Sequence, residues 1–147
     1  MKKTVMFCFI LGLVLTGFCQ KQKSEFVLND RMYQVFTQAE IDQMYANDFA
    51  KLFCLNYKMT NFAKVAGKSV EGANVLGYIE QYAKSGVRVN EAEMIRTGAI
   101  NPFDYDLPQD DTKVNAIRLQ TPGYYVLVLP KFRYEEEERA NLQQYVY

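Results

Sequence analysis

Residues 114–130 read VNAIRLQTPGYYVLVLP, two strand-like runs joined by a Pro-Gly turn. No other stretch constrains the fold as much. Pro122 presets the backbone for the second position of a turn, and Gly123 tolerates the left-handed conformation of the third. The run YYVLV is aromatic, β-branched and apolar throughout, whereas Ile117 and Leu119 alternate with Ala116, Arg118 and Gln120. The stretch predicts an antiparallel hairpin. Its first strand has one wet face, and its second is more fully buried and central in a small sheet.

Helical signals lie upstream. TQAE (37–40) is a capping box, in which Thr37 and Glu40 satisfy first-turn amides. Ile41, Met44, Tyr45, Phe49, Leu52 and Phe53 then fall on one helical stripe, which predicts a continuous helix from about 38 to at least 53. Phe53, Leu55, Tyr57 and Met59 also alternate at period two, so residues 53–60 fit either a strand or a further helical turn. Ala73, Leu76, Ile79 and Ala83 predict a second helix over roughly 70–84, ended by Ser85-Gly86. Asn90 with Glu93 caps the short segment EAEMIRT, which Gly98 closes. In the tail KFRYEEEERANLQQYVY, Glu135–Glu138 read as acids complementing the positive start of a solvated terminal helix, with Leu142, Tyr145 and Val146 pinning it. These elements predict an α+β fold: a small antiparallel sheet containing the C-terminal hairpin, with helices packed on one face.

The N-terminus has the layout of a secretory leader: Lys2 and Lys3, an apolar stretch from Val5 to Leu15, and small residues near the end. That stretch falls short of the about 20 apolar residues that span a bilayer. Gly17 and Cys19 occupy the positions where a signal peptidase wants small side chains. Cleavage there removes residues 1–19 and leaves residues 20–147, a usual size for one compact domain. A lipobox is the rival reading of LTGFC, but it needs a small residue before the cysteine, and Phe18 stands there. The expectation is an exported protein, periplasmic or extracellular, with no transmembrane anchor after processing and lipid anchoring as the lesser alternative.

Composition excludes whole classes of chemistry. The chain has no histidine, so Ser-His-Asp and Cys-His sites and the usual zinc sites cannot be built. Two of the 17 basic residues and none of the 17 acidic ones lie in the leader, leaving 15 against 17. A near-balance of this kind lacks the clustered basic excess that a nucleic acid demands. Hydrophobic residues at 49% and aromatics at 14% supply a packed core, so disorder does not explain the shortage of motifs. Cys54 remains as the single cysteine beyond the leader, set among large apolar neighbours in KLFCLNY, and reads as a small buried hydrophobe.

Two constellations could carry function. Asp104, Asp106, Asp110 and Asp111 crowd the loop 100–113, but without the glycine and closing glutamate of an EF-hand. They read as a solvated loop capping turns at Pro102 and Pro108. Tyr105, Tyr124, Tyr125, Phe132 and Tyr134 lie on or beside the hairpin and this loop. Strand alternation sets Tyr124 and Tyr125 on opposite sides, so Tyr105, Tyr124, Phe132 and Tyr134 are the candidate recognition residues. The expected function is a non-catalytic binding or assembly module of the bacterial cell envelope, with no cofactor, no metal and no catalytic residue. Its partner would be another envelope or secreted protein, or a glycan. The alternatives are a histidine-free hydrolase working through Asp/Glu pairs, and a calcium-dependent module using the 104–111 loop.

Overall fold

The computed structural model describes residues 22–146; the expected leader, with Cys8 and Cys19, lies outside them. Two short 3-10 turns, Lys23–Glu25 and Asp30–Gln34, lead into α1 (Gln38–Asn47) and α2 (Phe49–Asn61). The chain continues through β1 (Ala63–Ala66), β2 (Asn74–Tyr78), a 3-10 turn Ile79–Tyr82, α3 (Glu91–Thr97), β3 (Asn115–Arg118), β4 (Tyr125–Val128) and α4 (Lys131–Val146). The strands form one sheet in the order β1-β4-β3-β2. Among the described residues, no helix is long and apolar enough to cross a membrane.

The hairpin is present. Asn115 pairs with Val128 and Arg118 with Tyr125, and the Tyr124 amide donates to the Thr121 carbonyl across the turn at 3.3 Å, with Gly123 at φ 84°. The second strand is interior, as its composition predicts. So is the first, because β2 covers its far edge, and Asn115, Ala116 and Ile117 are all buried. Of the wet face expected for it, Arg118 and Gln120 are exposed and Ala116 is buried.

The sheet is mixed rather than antiparallel: β1 and β4 are antiparallel, but β2 runs parallel to β3. A parallel pair needs a long crossover, and residues 79–114, with a 3-10 turn and α3, provide one. The helix expected over 70–84 is instead β2 and a 3-10 turn. Leu76 and Ile79 do turn inward, but Gly77 and the β-branched Val75 weaken a helix there, and pairing with β3 decides the outcome.

The helix expected from 38 to 53 is broken at Asp48, whose backbone (φ −148°, ψ 65°) ends α1 while its carboxylate accepts from the Lys51 amide to start α2. Residues 53–60 are helical. The Thr37–Glu40 capping box and the Asn90 cap are both formed, and Gly98 closes α3 at φ 66°.

α4 begins directly after Pro130, and its first amides donate to the carbonyls of Asp110 and Asp111. Its first turn therefore holds no acid, and the glutamate run sits a turn further on. There Glu137 pairs with Arg133 at 2.8 Å and Glu138 accepts from the Tyr134 hydroxyl at 2.8 Å. Tyr145 pins the helix by ring contacts with Phe26, Phe49 and Phe53, Leu142 is half-buried, and the side chain of Val146 lies outside the described residues.

Two apolar clusters follow. The larger joins Met94 of α3, Tyr134 of α4 and Phe62 to Val65, Ile117, Val126 and Val128 of the sheet. The smaller packs Met32 against Ile41, Leu52 and Met59. Arg31 fastens this second cluster by donating to the carbonyls of Met59 and Ile100 at 2.9 and 2.8 Å. Asn56 ties the entering chain down, accepting from the Asn29 amide and donating to the Val27 carbonyl.

Candidate functional site

The four aromatic residues expected to form a recognition face do not come together. Tyr105 is 5% exposed and Tyr134 8%; both belong to the core. Burial, followed by the charges of Asp104 and Glu80, pushes the Tyr105 phenol up to about 12. The Tyr134 ring lies 5.5 Å from both Tyr57 and Phe62. Its phenol is raised by burial first, then by its bond to Glu138. Tyr124 is half-buried beside Gly67 at one end of β4. Phe132, 62% exposed, stands past the other end. Nothing local in the sequence separates a core tyrosine from a surface one.

A different surface emerges from the register. Val65, Leu76, Ile117 and Val126 share a row facing the helices. The flanking rows therefore face away from them. One such row is Lys64, Leu127, Ala116 and Val75; the other is Ala66, Tyr125, Arg118 and Tyr78, a register shift after Leu76 bringing Tyr78 level with Arg118. Val75 is 49% and Tyr78 38% exposed, and the Arg118 guanidinium lies 5.7 Å from the Tyr78 ring centroid. Two shallow hollows of about 510 and 330 Å³ extend this face toward the start of α4, sharing Val70, Val114 and Arg133, with Phe132 on the lip of the larger. Of the residues here, Phe132 was legible as a candidate. Val75 and Tyr78 were hidden by the helical spacing around them, although a strand reading of NVLGY exposes both.

Several carboxylates are engaged elsewhere. Glu91 accepts from the Gln120 amide and from the Thr121 amide and hydroxyl at 2.6–2.8 Å, clasping the hairpin turn to the start of α3. Burial alone would raise its pKa, but these three bonds together lower it. Asp110 is lowered by accepting from the Thr112 and Lys113 amides. Glu40 and Glu93 are likewise lowered by hydrogen bonds, from Thr37 and from Arg96 respectively. Among the described residues, each carboxylate that departs from its ordinary value departs downward, whereas a general acid needs the opposite. Among the described residues, no three of His, Cys, Asp or Glu gather as a metal site. Asp106 instead lies 3.9 Å from the Lys84 ammonium.

Cys54 is half-buried rather than enclosed. Burial, then the charge and hydrogen bonding of Glu138, pushes its thiol up to about 11. The thiolate is the reactive form, so each unit of increase removes about nine-tenths of it at neutral pH. Labelling of the Cys54 peptide at pH 8, followed by mass spectrometry, should be at least about a hundred-fold slower in the folded protein than in urea. Comparable rates would mean an accessible, activated thiol.

The arrangement leaves an exposed apolar and cationic sheet face, with Val75, Tyr78 and Arg118 on its outward rows. Compared with known proteins, the chain matches no family model, no curated protein and no solved structure at a significant level.

Proposed function

We propose that the chain is an exported, non-catalytic binding or assembly module of the bacterial cell envelope. In this reading residues 1–19 are removed, and residues 20–147 act as one domain in the periplasm or outside the cell. The partner is another envelope or secreted protein, held on the sheet face turned away from the helices and on the hollows beside Phe132. One observation carries the reading: of the large apolar side chains left exposed, Val75 and Tyr78 lie on the outward rows of the sheet and Val70 and Phe132 line the larger hollow beside it. Exposed apolar groups that gather on one surface mark interaction sites, whereas scattered ones need no explanation.

The test separates folding from binding. Phe132→Ala should lower affinity for the native partner by about 2 kcal/mol, as for a central aromatic anchor. Its thermal stability should stay within about 0.5 kcal/mol of the parent, as at other surface sites. Unchanged retention of the partner by Phe132→Ala and by Val75→Ala would exclude this face as the binding surface.

A further inference from the structure

The sheet face is one-sided in charge, although the chain is balanced at 17 basic and 17 acidic residues. Its two outward rows carry Lys64 and Arg118, and none of the four strands contains Asp or Glu. The Arg118 guanidinium rests over the Tyr78 ring and, among the described residues, has no carboxylate or carbonyl partner. A guanidinium stacked on a ring keeps its planar fork of N–H donors free at the edge, the geometry that grips a carboxylate with two parallel bonds. Apolar surface flanks it: Val75 on the neighbouring row and the half-buried Tyr125 on the adjacent strand, whereas Ala116 and Leu127 between and beyond them are buried. Acids line the hollows toward α4: Glu71, Asp111 and Glu136 the larger, and Glu137, paired with Arg133, the smaller.

We infer that this face receives an acidic, apolar segment of a partner protein, with a carboxylate of the segment on Arg118 and its apolar side chains against Val75 and Tyr125. The inference rests on the binding-module reading above and names the chemistry of its partner. A glycan suits the face less well. Sugar hydroxyls need acceptors as well as donors, and the two rows offer cations and tyrosines but no carboxylate or amide. The acids near Phe132 orient the segment, its negative end lying over Arg118 and away from the hollow.

The probe is a short peptide alternating Glu with Val, fluorescently labelled and titrated into the full chain. Counterparts carry Gln or Lys in place of Glu, and polygalacturonate serves as an acidic glycan. The Glu peptide should bind best and weaken as salt shortens the Debye length below about 10 Å. Arg118→Gln should weaken it about ten-fold or more, as loss of a hydrogen bond to a charged group does. Arg118→Lys should also weaken it, since an ammonium keeps the charge but lacks the fork. Lys64→Gln, with a melting temperature like the parent's, gives a second reading of the same field should Arg118 variants fold poorly.

Equal binding of the Gln peptide, indifference to both Arg118→Gln and Lys64→Gln, or binding of polygalacturonate in place of every peptide would each overturn the inference. If no Glu peptide binds while Phe132→Ala still loses the native partner, the acidic segment is wrong and the binding-module reading stands. If Phe132→Ala and Val75→Ala also keep the native partner, both readings fall together.

Discussion

Tyr134→Ala should cost about 3 to 5 kcal/mol of folding stability, the range for removing a large ring from a core. That is a large share of the 5–15 kcal/mol that stabilises a typical domain. The ring is 8% exposed, between Tyr57 and Phe62, at the point where α4 meets the sheet. Tyr134→Phe keeps the ring and loses only the bond to Glu138. Its cost should be about 1 kcal/mol, because Glu138 is half-exposed and water can replace the donor. Denaturant midpoints at constant m-value measure both. A cost below about 0.5 kcal/mol for Tyr134→Ala would place the ring outside the core. The same burial makes stability depend on pH. Both Tyr105 and Tyr134 have phenols raised in the folded state. Their contribution is complete below the ordinary tyrosine value near 10 and drains away as pH rises above it, because the unfolded chain ionises first. Unfolding at pH 8 and pH 11 should therefore differ, and less so in Tyr134→Phe.

Ile117→Ala should be comparably damaging, at about 2 to 5 kcal/mol. Ile117 has no exposed surface, lies in an interior strand, and faces Met94, Phe62 and Tyr134 across the larger cluster. Val75, on the adjacent strand opposite Ala116 and so on the outward side, provides the control: Val75→Ala should change stability by no more than about 0.5 kcal/mol. The pair measures the sidedness of the sheet directly. Similar costs at both positions would mean that Val75 is covered, as Ala116 and Leu127 of its row are, and the proposed binding face would disappear with it.

Features specified by neighbouring residues were legible in the sequence. The Pro122-Gly123 turn, the Thr37–Glu40 box, the Asn90 cap and the Gly98 stop each depend on groups within four positions, and each forms. What escaped depends on distant residues. Leu76 and Ile79 fit a helical spacing because both are buried, but the strand that claims residues 74–78 starts at Asn115, 41 positions beyond Asn74. Asp48 interrupts the stripe of α1 and α2 because its carboxylate finds the Lys51 amide, a cap signal overlooked beneath a strong periodicity. The glutamate run looked like a helix start because the true start, at Lys131, is satisfied by carbonyls of a loop 21 residues earlier. The candidate site was half legible. Phe132 is exposed as expected, whereas Tyr105 and Tyr134 are amphipathic residues whose place depends on what packs against them.

The strand order also bears on how the chain reaches its fold. Of the strands that pair, only β3 and β4 are near neighbours in sequence, so the hairpin is the one part of the sheet that can form from a local encounter. Pairing Ala63 with Val128 and Asn74 with Asn115 must close long loops first. The entropy of closing a loop rises slowly with its length, so the finished sheet loses little stability by this arrangement. The rate suffers instead, because distant pairings are slow to be found. Until β1 and β2 arrive, the hairpin presents two open edges, one of them the apolar run YVLV, and a chain held long in that state is exposed to pairing with its own copies.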